Sequence, residues 1–173
     1  VCTEASPDAL NAALSTANTS FDVAEQVADR LVEMQPGTAN LRPALAESWD
    51  VSADGLTVTV HLRHGVKWQS NKSFKPTREF NADDVVFTFA RMLETNHPWH
   101  AVGGGHYGMF DSLIGTALKD VRRIDDHTVA FDLKAPYAPL IPALTVQSFS
   151  ISSAEYAAGI DKAHGDRNSY DLD

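Results

Sequence analysis

The stretch that decides the fold has the sequence WDVSADGLTVTVHL, residues 49–62. From Leu56 to Leu62 apolar and polar side chains alternate, which is the pattern of a strand with one buried face. Asp54-Gly55, just before this run, is strong turn chemistry. Trp49 and Val51 lie on the other side of that turn and supply a partner strand. The stretch therefore predicts a β-hairpin.

A second hairpin is predicted further along the chain. Val121–Ile124 forms one strand, and apolar residues alternate with polar ones from Val129 to Leu133 in the other. Asp125-Asp126 lies between the two strands, where aspartates favour a turn. We therefore interpret this acidic pair as a turn and not as a pair of catalytic carboxylates.

Between the two hairpins the sequence predicts a helix from about Ala82 to Glu94 with an apolar stripe. Asn81 is a suitable N-cap, and Asp84 three residues later approximates a capping box. Asp83 and Asp84 also lie at the positive end of the helix dipole, which explains them without catalysis. Neighbouring helix positions do not face each other, so the two carboxylates are not expected to work as a pair.

The remaining elements are shorter, and the whole is α+β with hairpins instead of a regular βαβ alternation. In chain order we predict a strand over Val1–Ala5, a polar loop to Thr19, a helix from Thr19 or Ser20 to Leu31, a turn at Pro36-Gly37, a helical turn from Pro43 to Glu47, a short helix at most between Ala135 and Pro142, a helix capped by Ser153 that ends near Ala163, and a polar tail from Gly165 to Asp173.

Composition excludes several classes of function. The 173 residues carry a formal net charge of −9, whereas nucleic-acid binding needs clustered Lys and Arg to neutralise phosphates. No run approaches the roughly 18 apolar residues of a membrane span. No signal peptide is visible, so we expect that it was removed or trimmed. Cys2 is the single cysteine, which excludes an internal disulfide framework.

Candidate catalytic and metal-binding residues form no recognised pattern. The seven histidines show neither a helical metal-binding motif nor a Cys/His pattern, so we expect no metal and no cofactor. The run Gly103-Gly104-Gly105 lacks the lysine and the spacing of a phosphate-binding loop. It is either a flexible loop or a backbone that a ligand can approach closely. No nucleophile, base and oxyanion stabiliser come together, so an enzyme is not expected.

Four segments carry a resemblance to a known family. They are Leu41–Trp49, Val51–Gly55, His61–Trp68 and Asn81–Phe89, followed by Arg91. In this order and spacing they resemble the family 5 solute-binding proteins of ABC importers, which include dipeptide-, oligopeptide- and nickel-binding proteins. The branches most similar to the chain are the dipeptide-binding proteins and the Sap-type peptide-binding proteins, on the strength of Phe74–Arg78, Asn96–His100 and Gly103–Tyr107.

The resemblance implies an architecture. Members of the family have the type 2 periplasmic binding protein fold (class C), with two lobes around a hinge and a smaller subdomain inserted into the first lobe. We therefore expect residues 1–30 to hold the first strand and helix of the main lobe, 31–165 to form the inserted subdomain, and 166–173 to be a polar tail leading back to the lobe. The chain would then be an incomplete, N-terminal part of a longer protein.

The resemblance also implies a function in which a peptide is held extended between the lobes in the periplasm and delivered to the ABC permease in the membrane. The protein would work as a monomer and bind no nucleic acid. The acidic and basic residues that hold the peptide termini would lie beyond this chain, and Cys2 would form a disulfide with a cysteine outside it. The ligand-binding residues expected here are Thr16, Asn18, Thr19, Gly105, His106 and Tyr107.

Other functions stay open. The chain could be an interaction or structural subdomain with no ligand of its own. Alternatively, the complete protein could bind another solute, such as haem, nickel or an antimicrobial peptide. An enzyme is the third class, and the residues favour it least.

Overall fold

The computed structural model describes residues 5–8, 10–163 and 165–171. The disulfide predicted for Cys2, and the strand predicted over Val1–Ala5 apart from its last residue, lie outside the described residues. The strands are β1 (Val32–Met34), β2 (Leu41–Pro43), β3 (Ala46–Val51), β4 (Thr57–Leu62), β5 (Leu118–Asp125) and β6 (Thr128–Leu133). The helices are α1 (Asn18–Val27), α2 (Ala82–Leu93), α3 (Gly108–Phe110), α4 (Leu140–Ala143) and α5 (Ala154–Lys162), with 3-10 turns at Ala12–Leu14, Val102–Gly104, Gln147–Phe149 and Arg167–Asp171 and a π turn at Asp111–Gly115.

The two predicted hairpins form one sheet. Its strand order is β3-β4-β6-β5, and every neighbouring pair is antiparallel. Val60 pairs with Trp49 on one side and with Val129 on the other, so the central strands of the sheet come one from each hairpin. Both hairpins are confirmed, and with them the mixed α+β class.

Helix α2 covers one face of this sheet. Phe89 is fully buried and meets Phe131 of β6 edge to face, with ring centroids 5.0 Å apart. The predicted stripe of Val85, Phe89 and Met92 is buried in the core. The capping box is present as well: Asp83 N donates to Asn81 Oδ1 at 3.0 Å, and Asn81 N donates to Asp84 Oδ2 at 3.1 Å.

The prediction for the first helix is wrong beyond Val27. Helix α1 ends there, Ala28 is extended, and Leu31 is completely buried just before strand β1. The Leu31 carbonyl accepts hydrogen bonds from Ala44 N at 3.2 Å and Ala46 N at 2.9 Å. The extended conformation of this backbone is therefore set by hydrogen bonds to residues thirteen and fifteen positions away. The local apolar spacing does not determine it.

The helical turn predicted from Pro43 to Glu47 is wrong for the same reason. This segment passes from β2 into β3, with its amides directed at the segment before β1. The turn at Pro36-Gly37 is confirmed, because Gln35 N donates to Asn40 O across it and Gly37 has a φ of 76°.

The C-terminal predictions hold in part. Helix α4 is short, with Pro136 and Pro139 before it and Pro142 within it. Helix α5 begins where Ser153 Oγ accepts from Tyr156 N at 3.2 Å. The tail predicted as polar and without a period contains a 3-10 turn, and Tyr170 in it packs against Trp99 and Tyr156. None of the helices in the described ranges is long and apolar enough to cross a membrane.

Candidate ligand-binding site

The first predicted ligand segment is the connection that leads into α1. Ser15 Oγ and Ser20 Oγ both donate to Asp8 Oδ1, at 2.5 Å and 2.6 Å. These bonds anchor the two ends of the connection, and both serines are buried. Thr16 and Asn18 between them are exposed, and Thr19 is half-buried. The segment is therefore anchored by Asp8 and leaves Thr16 and Asn18 exposed, whereas Thr19 Oγ1 donates to Ser6 O at 3.4 Å.

The second predicted segment is the glycine loop, residues 103–106. Gly103, Gly104 and Gly105 all have positive φ, at 72°, 99° and 64°, which is the region that favours glycine. Among the described residues, no atom lies within 4 Å of the place where a Gly104 Cβ would be, whereas a Cβ on Gly105 would lie 3.0 Å from His100 O. His106 is exposed. The apex of the loop is open, and its base is tightly packed.

The first segment lies next to Gly108, two residues beyond the glycine loop. A Cβ placed on Gly108 would lie 3.4 Å from Thr16 Cγ2, which is ordinary van der Waals contact. Thr16 and Gly108 are more than ninety positions apart in the chain, so this contact is entirely tertiary. Asn18 and Thr19 continue from Thr16 as the first turn of α1.

Tyr107 lies below the glycine loop and is only 1% exposed. Its hydroxyl donates to His100 O at 3.0 Å and accepts from Arg91 Nε at 3.1 Å. His100 Nδ1 donates in turn to Arg91 O at 2.8 Å. The side chains of Arg91, Tyr107 and His100 and the carbonyls of Arg91 and His100 thus form a closed ring of hydrogen bonds. In this conformation Tyr107 supports the loop from inside.

Sequence reasoning missed Arg91 as part of this site, although a signal was present. Asp84, Thr88 and Arg91 are spaced four and three positions apart on α2, so they share one helix face. All three are buried beside the apolar stripe. Thr88 Oγ1 accepts from Ser152 N at 2.9 Å, and Asp84 Oδ1 accepts from Ala154 N at 2.9 Å. A polar stripe at helical spacing predicts such buried partners.

The other end of this stripe is a carboxylate with many partners. Asp84 is completely buried and takes two hydrogen bonds from Arg78, each at 2.7 Å. Trp68 Nε1 also donates to it, at 3.3 Å. The hydrogen bond to Asp84 raises the pKa of Arg78 above its ordinary value, against the effect of burial.

The glycine loop is also tied to the C-terminal tail. Arg167 donates to Pro98 O at 2.7 Å and to Asp161 Oδ1 at 2.6 Å, and its guanidinium lies 5.2 Å from the centre of the Trp99 ring. Trp99 Nε1 donates to Asp161 Oδ2 at 3.2 Å. The hydrogen bond from Arg167 lowers the pKa of Asp161. Residues 98–99, just before the loop, are therefore connected to the tail and to α5 by several polar contacts.

A separate apolar groove of about 530 Å³ lies between the end of α1, the segment around Trp68 and the start of α5. Leu10 and Val27 on its rim are 54% and 61% exposed. Within the described ranges no three His, Cys, Asp or Glu side chains are grouped so that they could hold a metal ion.

Comparisons with known proteins agree with the resemblance. The chain is 46% identical over 164 residues to the dipeptide-binding protein of Escherichia coli (strain K12), an alignment that covers 94% of this chain and 31% of that protein. It is 45% identical to heme-binding protein A of Haemophilus influenzae, covering 94% of the chain and 30% of that protein. The chain thus spans about a third of the length of these relatives.

A solved structure gives the same result for the fold. The dipeptide binding protein from Pseudoalteromonas sp. SM9913, in complex with Met-Leu, superposes with a TM-score of 0.91 at 37% identity, over 96% of this chain and 33% of that one. Residues 40–171 match the model of the bacterial extracellular solute-binding proteins, family 5 Middle. The chain therefore belongs to this family of solute-binding proteins.

Proposed function

We propose that this chain is part of the substrate-binding component of an ABC importer, which captures peptides in the periplasm and delivers them to a membrane permease. The observation that carries the proposal is the proximity of Thr16 to Gly108, which supports grouping the two predicted ligand segments on one surface. The similarity to dipeptide-binding proteins supports peptide as the ligand.

The proposed division of the chain follows the family. Residues 1–30 belong to the main lobe, 31–165 form the inserted subdomain, and 166–173 lead back to the lobe. The polar contacts between Arg167, Pro98 and Asp161 support a fixed exit for the tail. The role proposed for Cys2 is a disulfide with a cysteine outside this chain.

The proposed ligand surface consists of Thr16, Asn18, Thr19, Gly105 and His106, with the buried Tyr107 beneath it. An extended peptide exposes N–H and C=O groups along its length, and a protein backbone that approaches closely can pair with them regardless of side-chain identity. The open glycine backbone and the exposed polar side chains next to it suit such pairing. Tyr107 contributes by supporting the loop. Closure of the lobes would then bury the peptide and present the closed form to the permease.

The proposed setting is the periplasm, with the protein acting as a monomer. The family to which the chain belongs is described as extracellular, which supports a location outside the cytoplasm. The net charge of −9 gives no basis for binding nucleic acid.

Calorimetric titration of the complete protein with dipeptides tests the proposal. We expect saturable binding of one peptide per protein. The 173-residue chain alone should bind much more weakly, because a partial cleft loses the burial that gives a pocket its affinity. Binding of haem, nickel or a sugar with no heat from peptides would show that the peptide assignment is wrong.

The apolar groove favours a second candidate function, that of an interaction subdomain with no ligand of its own. Exposed Leu10 and Val27 on the rim are the kind of apolar surface that a neighbouring protein surface covers. Exchange of both for serine in the complete protein separates the two functions. Under the peptide proposal these changes leave peptide affinity intact, since neither residue belongs to the ligand surface, whereas an interaction role predicts loss of stability.

A further inference from the structure

Given the peptide site proposed above, we infer that Arg91 is a positioning residue for the glycine loop. It contacts no ligand in this scheme. Through Tyr107 and His100 it fixes the backbone of residues 103–106, which the proposed site offers to the peptide. The effect would be to order this backbone before the ligand arrives.

The glycine loop needs such support because of its composition. Glycine loses more conformational freedom on ordering than any other residue, and three of them follow one another here. Gly104 N donates to Ala101 O at 3.1 Å, but among the described residues no atom lies within 4 Å of its Cβ direction. Ordering this apex only when the peptide binds would take free energy from the binding itself. A loop held at its base avoids part of that loss.

The base of the loop is the His100 carbonyl. Tyr107 donates its hydroxyl hydrogen to this oxygen at 3.0 Å, and Gly105 packs so closely that a Cβ would lie 3.0 Å from the same atom. The position of this one carbonyl therefore sets where Gly105 can lie. Any residue that fixes His100 also fixes the loop.

Arg91 acts on His100 by two routes. Its carbonyl accepts from His100 Nδ1 at 2.8 Å, and its Nε donates to the Tyr107 hydroxyl at 3.1 Å. The first hydrogen bond uses the backbone carbonyl of residue 91, so it does not depend on the side chain at that position. The second depends on the guanidinium, whose Nε–H points along the side chain in a direction that a lysine ammonium does not reproduce.

Burial shows that Arg91 is held firmly in this place. The residue is 2% exposed, and its guanidinium lies 5.8 Å from the Tyr107 ring and 5.5 Å from the Tyr170 ring. A buried cation is costly unless partners surround it, so its side chain has little freedom to move away. Tyr170 belongs to the tail, so the same guanidinium contacts both the loop and the tail.

The test is Arg91→Lys in the complete protein, read by dipeptide calorimetry and by amide hydrogen exchange. Lysine keeps the charge and loses the Nε hydrogen bond to Tyr107. We expect peptide affinity to fall about fivefold to tenfold, the size of one lost hydrogen bond, with faster exchange at residues 103–105. Tyr107→Phe should give the same two changes. The double variant should be no worse than Tyr107→Phe alone, because loss of the hydroxyl already removes the hydrogen bond from Arg91.

Arg78→Lys is the matched control. Arg78 is also a partly buried cation with a hydrogen-bonded partner on α2, but it lies at the opposite end of the helix and makes no contact with the loop. It should lower the thermal midpoint and leave peptide affinity within about twofold of the parent, as distant sites do. Equal loss of affinity in both variants would reduce Arg91 to a general structural residue and overturn the inference.

A third variant separates failure of this inference from failure of the proposed site. Gly105→Val is incompatible with a φ of 64° and with the His100 carbonyl, so it must distort the loop. If it weakens peptide binding while Arg91→Lys changes neither affinity nor exchange, the site stands and the role of Arg91 is wrong. If it leaves peptide affinity unchanged, the peptide site itself is wrong, and Arg91 with it.

Discussion

The two ends of helix α2 each bury a charged side chain, yet they are built differently. At the first end Asp84 accepts five hydrogen bonds, three of them from Arg78 and Asn81 within six positions, and one each from Trp68 and Ala154, sixteen and seventy positions away. At the other end Arg91 reaches Tyr107 and Tyr170, sixteen and seventy-nine positions away. Each charge has the sign that the helix dipole favours at its end.

Because of this difference, we expect the two ends of α2 to contribute differently to folding stability and to the proposed ligand surface. The Asp84 end is closed, because its partners fill the carboxylate oxygens and leave nothing to offer a ligand. The Arg91 end adjoins the glycine loop, whose apex is open. We therefore expect changes at the first end to act on folding and changes at the second to act on the ligand surface.

The largest effect should come from Asp84→Ala. Removal of this carboxylate leaves the Arg78 guanidinium, the Trp68 indole and two backbone amides without their acceptor. Breaking a buried ion pair from one side typically costs about 3–5 kcal/mol of unfolding free energy. Urea denaturation followed by circular dichroism measures this cost.

Asp83→Ala is the control for this change. Asp83 precedes Asp84 on the helix but is exposed, and its ion pair with Arg123 is a long one at 3.6 Å. It should cost at most about 1 kcal/mol, as surface pairs do. Equal losses from the two variants would contradict the account of the Asp84 end.

Tyr107→Phe should have a smaller effect on stability. It removes the hydroxyl that joins Arg91 Nε to His100 O, leaving a buried donor and a buried acceptor without this partner, at a cost of about 1–3 kcal/mol. Tyr137→Phe is the comparison, because its hydroxyl donates to Leu113 O at 2.8 Å away from the loop. We expect both variants to lower the unfolding free energy, but only the change at Tyr107 to alter peptide affinity. Lost affinity in both would remove the distinction between the two ends.

The smallest effect is the pH dependence of folding stability, which we expect to come from His97 at the Arg91 end of α2. Burial lowers the pKa of His97 below its ordinary value; Glu94 opposes this, and Arg91, His100 and Arg167 add to it. His97 Nδ1 accepts from Trp99 N at 3.2 Å, which requires the neutral ring. The unfolded chain therefore binds more protons than the folded one as pH falls below about 6.5, so stability decreases in that range.

Thermal midpoints at pH 7.5 and pH 5.5 measure this effect. The parent chain should unfold at a lower temperature at pH 5.5, and His97→Asn should reduce the difference. The hydrogen-bonded carboxylates Glu25 and Asp132 also have lowered pKa values, held down first by Arg30 and by Arg122. Their stability contribution is lost only below about pH 4, since it is present above their unfolded pKa values. A midpoint that rises on acidification to pH 5.5 would contradict the assignment for His97.

The sequence predicted those parts of the fold that depend on near neighbours. The turn chemistry of Asp54-Gly55 and the capping residues Asn81 and Ser153 act within a few positions, so their patterns were sufficient. The two ends of the segment from Leu31 to Ala46 could not be predicted this way, because the Leu31 carbonyl accepts from amides thirteen and fifteen residues away. Apolar spacing alone does not distinguish a buried helix turn from a buried strand.

The candidate site, too, was predictable in part. The family resemblance predicted that Thr16 and the glycine loop belong to one site, and in the structure Thr16 lies next to Gly108, two residues beyond that loop. The resemblance did not show that Tyr107 lies inside the protein, because burial depends on the packing of α2, the loop and the tail together. Arg91 belongs to the family motif, but the sequence does not show its hydrogen bond to Tyr107, which forms only when the chain folds.

Amide hydrogen exchange of the complete protein, with and without saturating dipeptide, tests the central claim most directly. The account predicts that peptide slows exchange at residues 16–19 and 103–106 and leaves the Asp84 end of α2 unchanged. Protection that misses both segments while dipeptide is bound would show that this surface is not part of the peptide site.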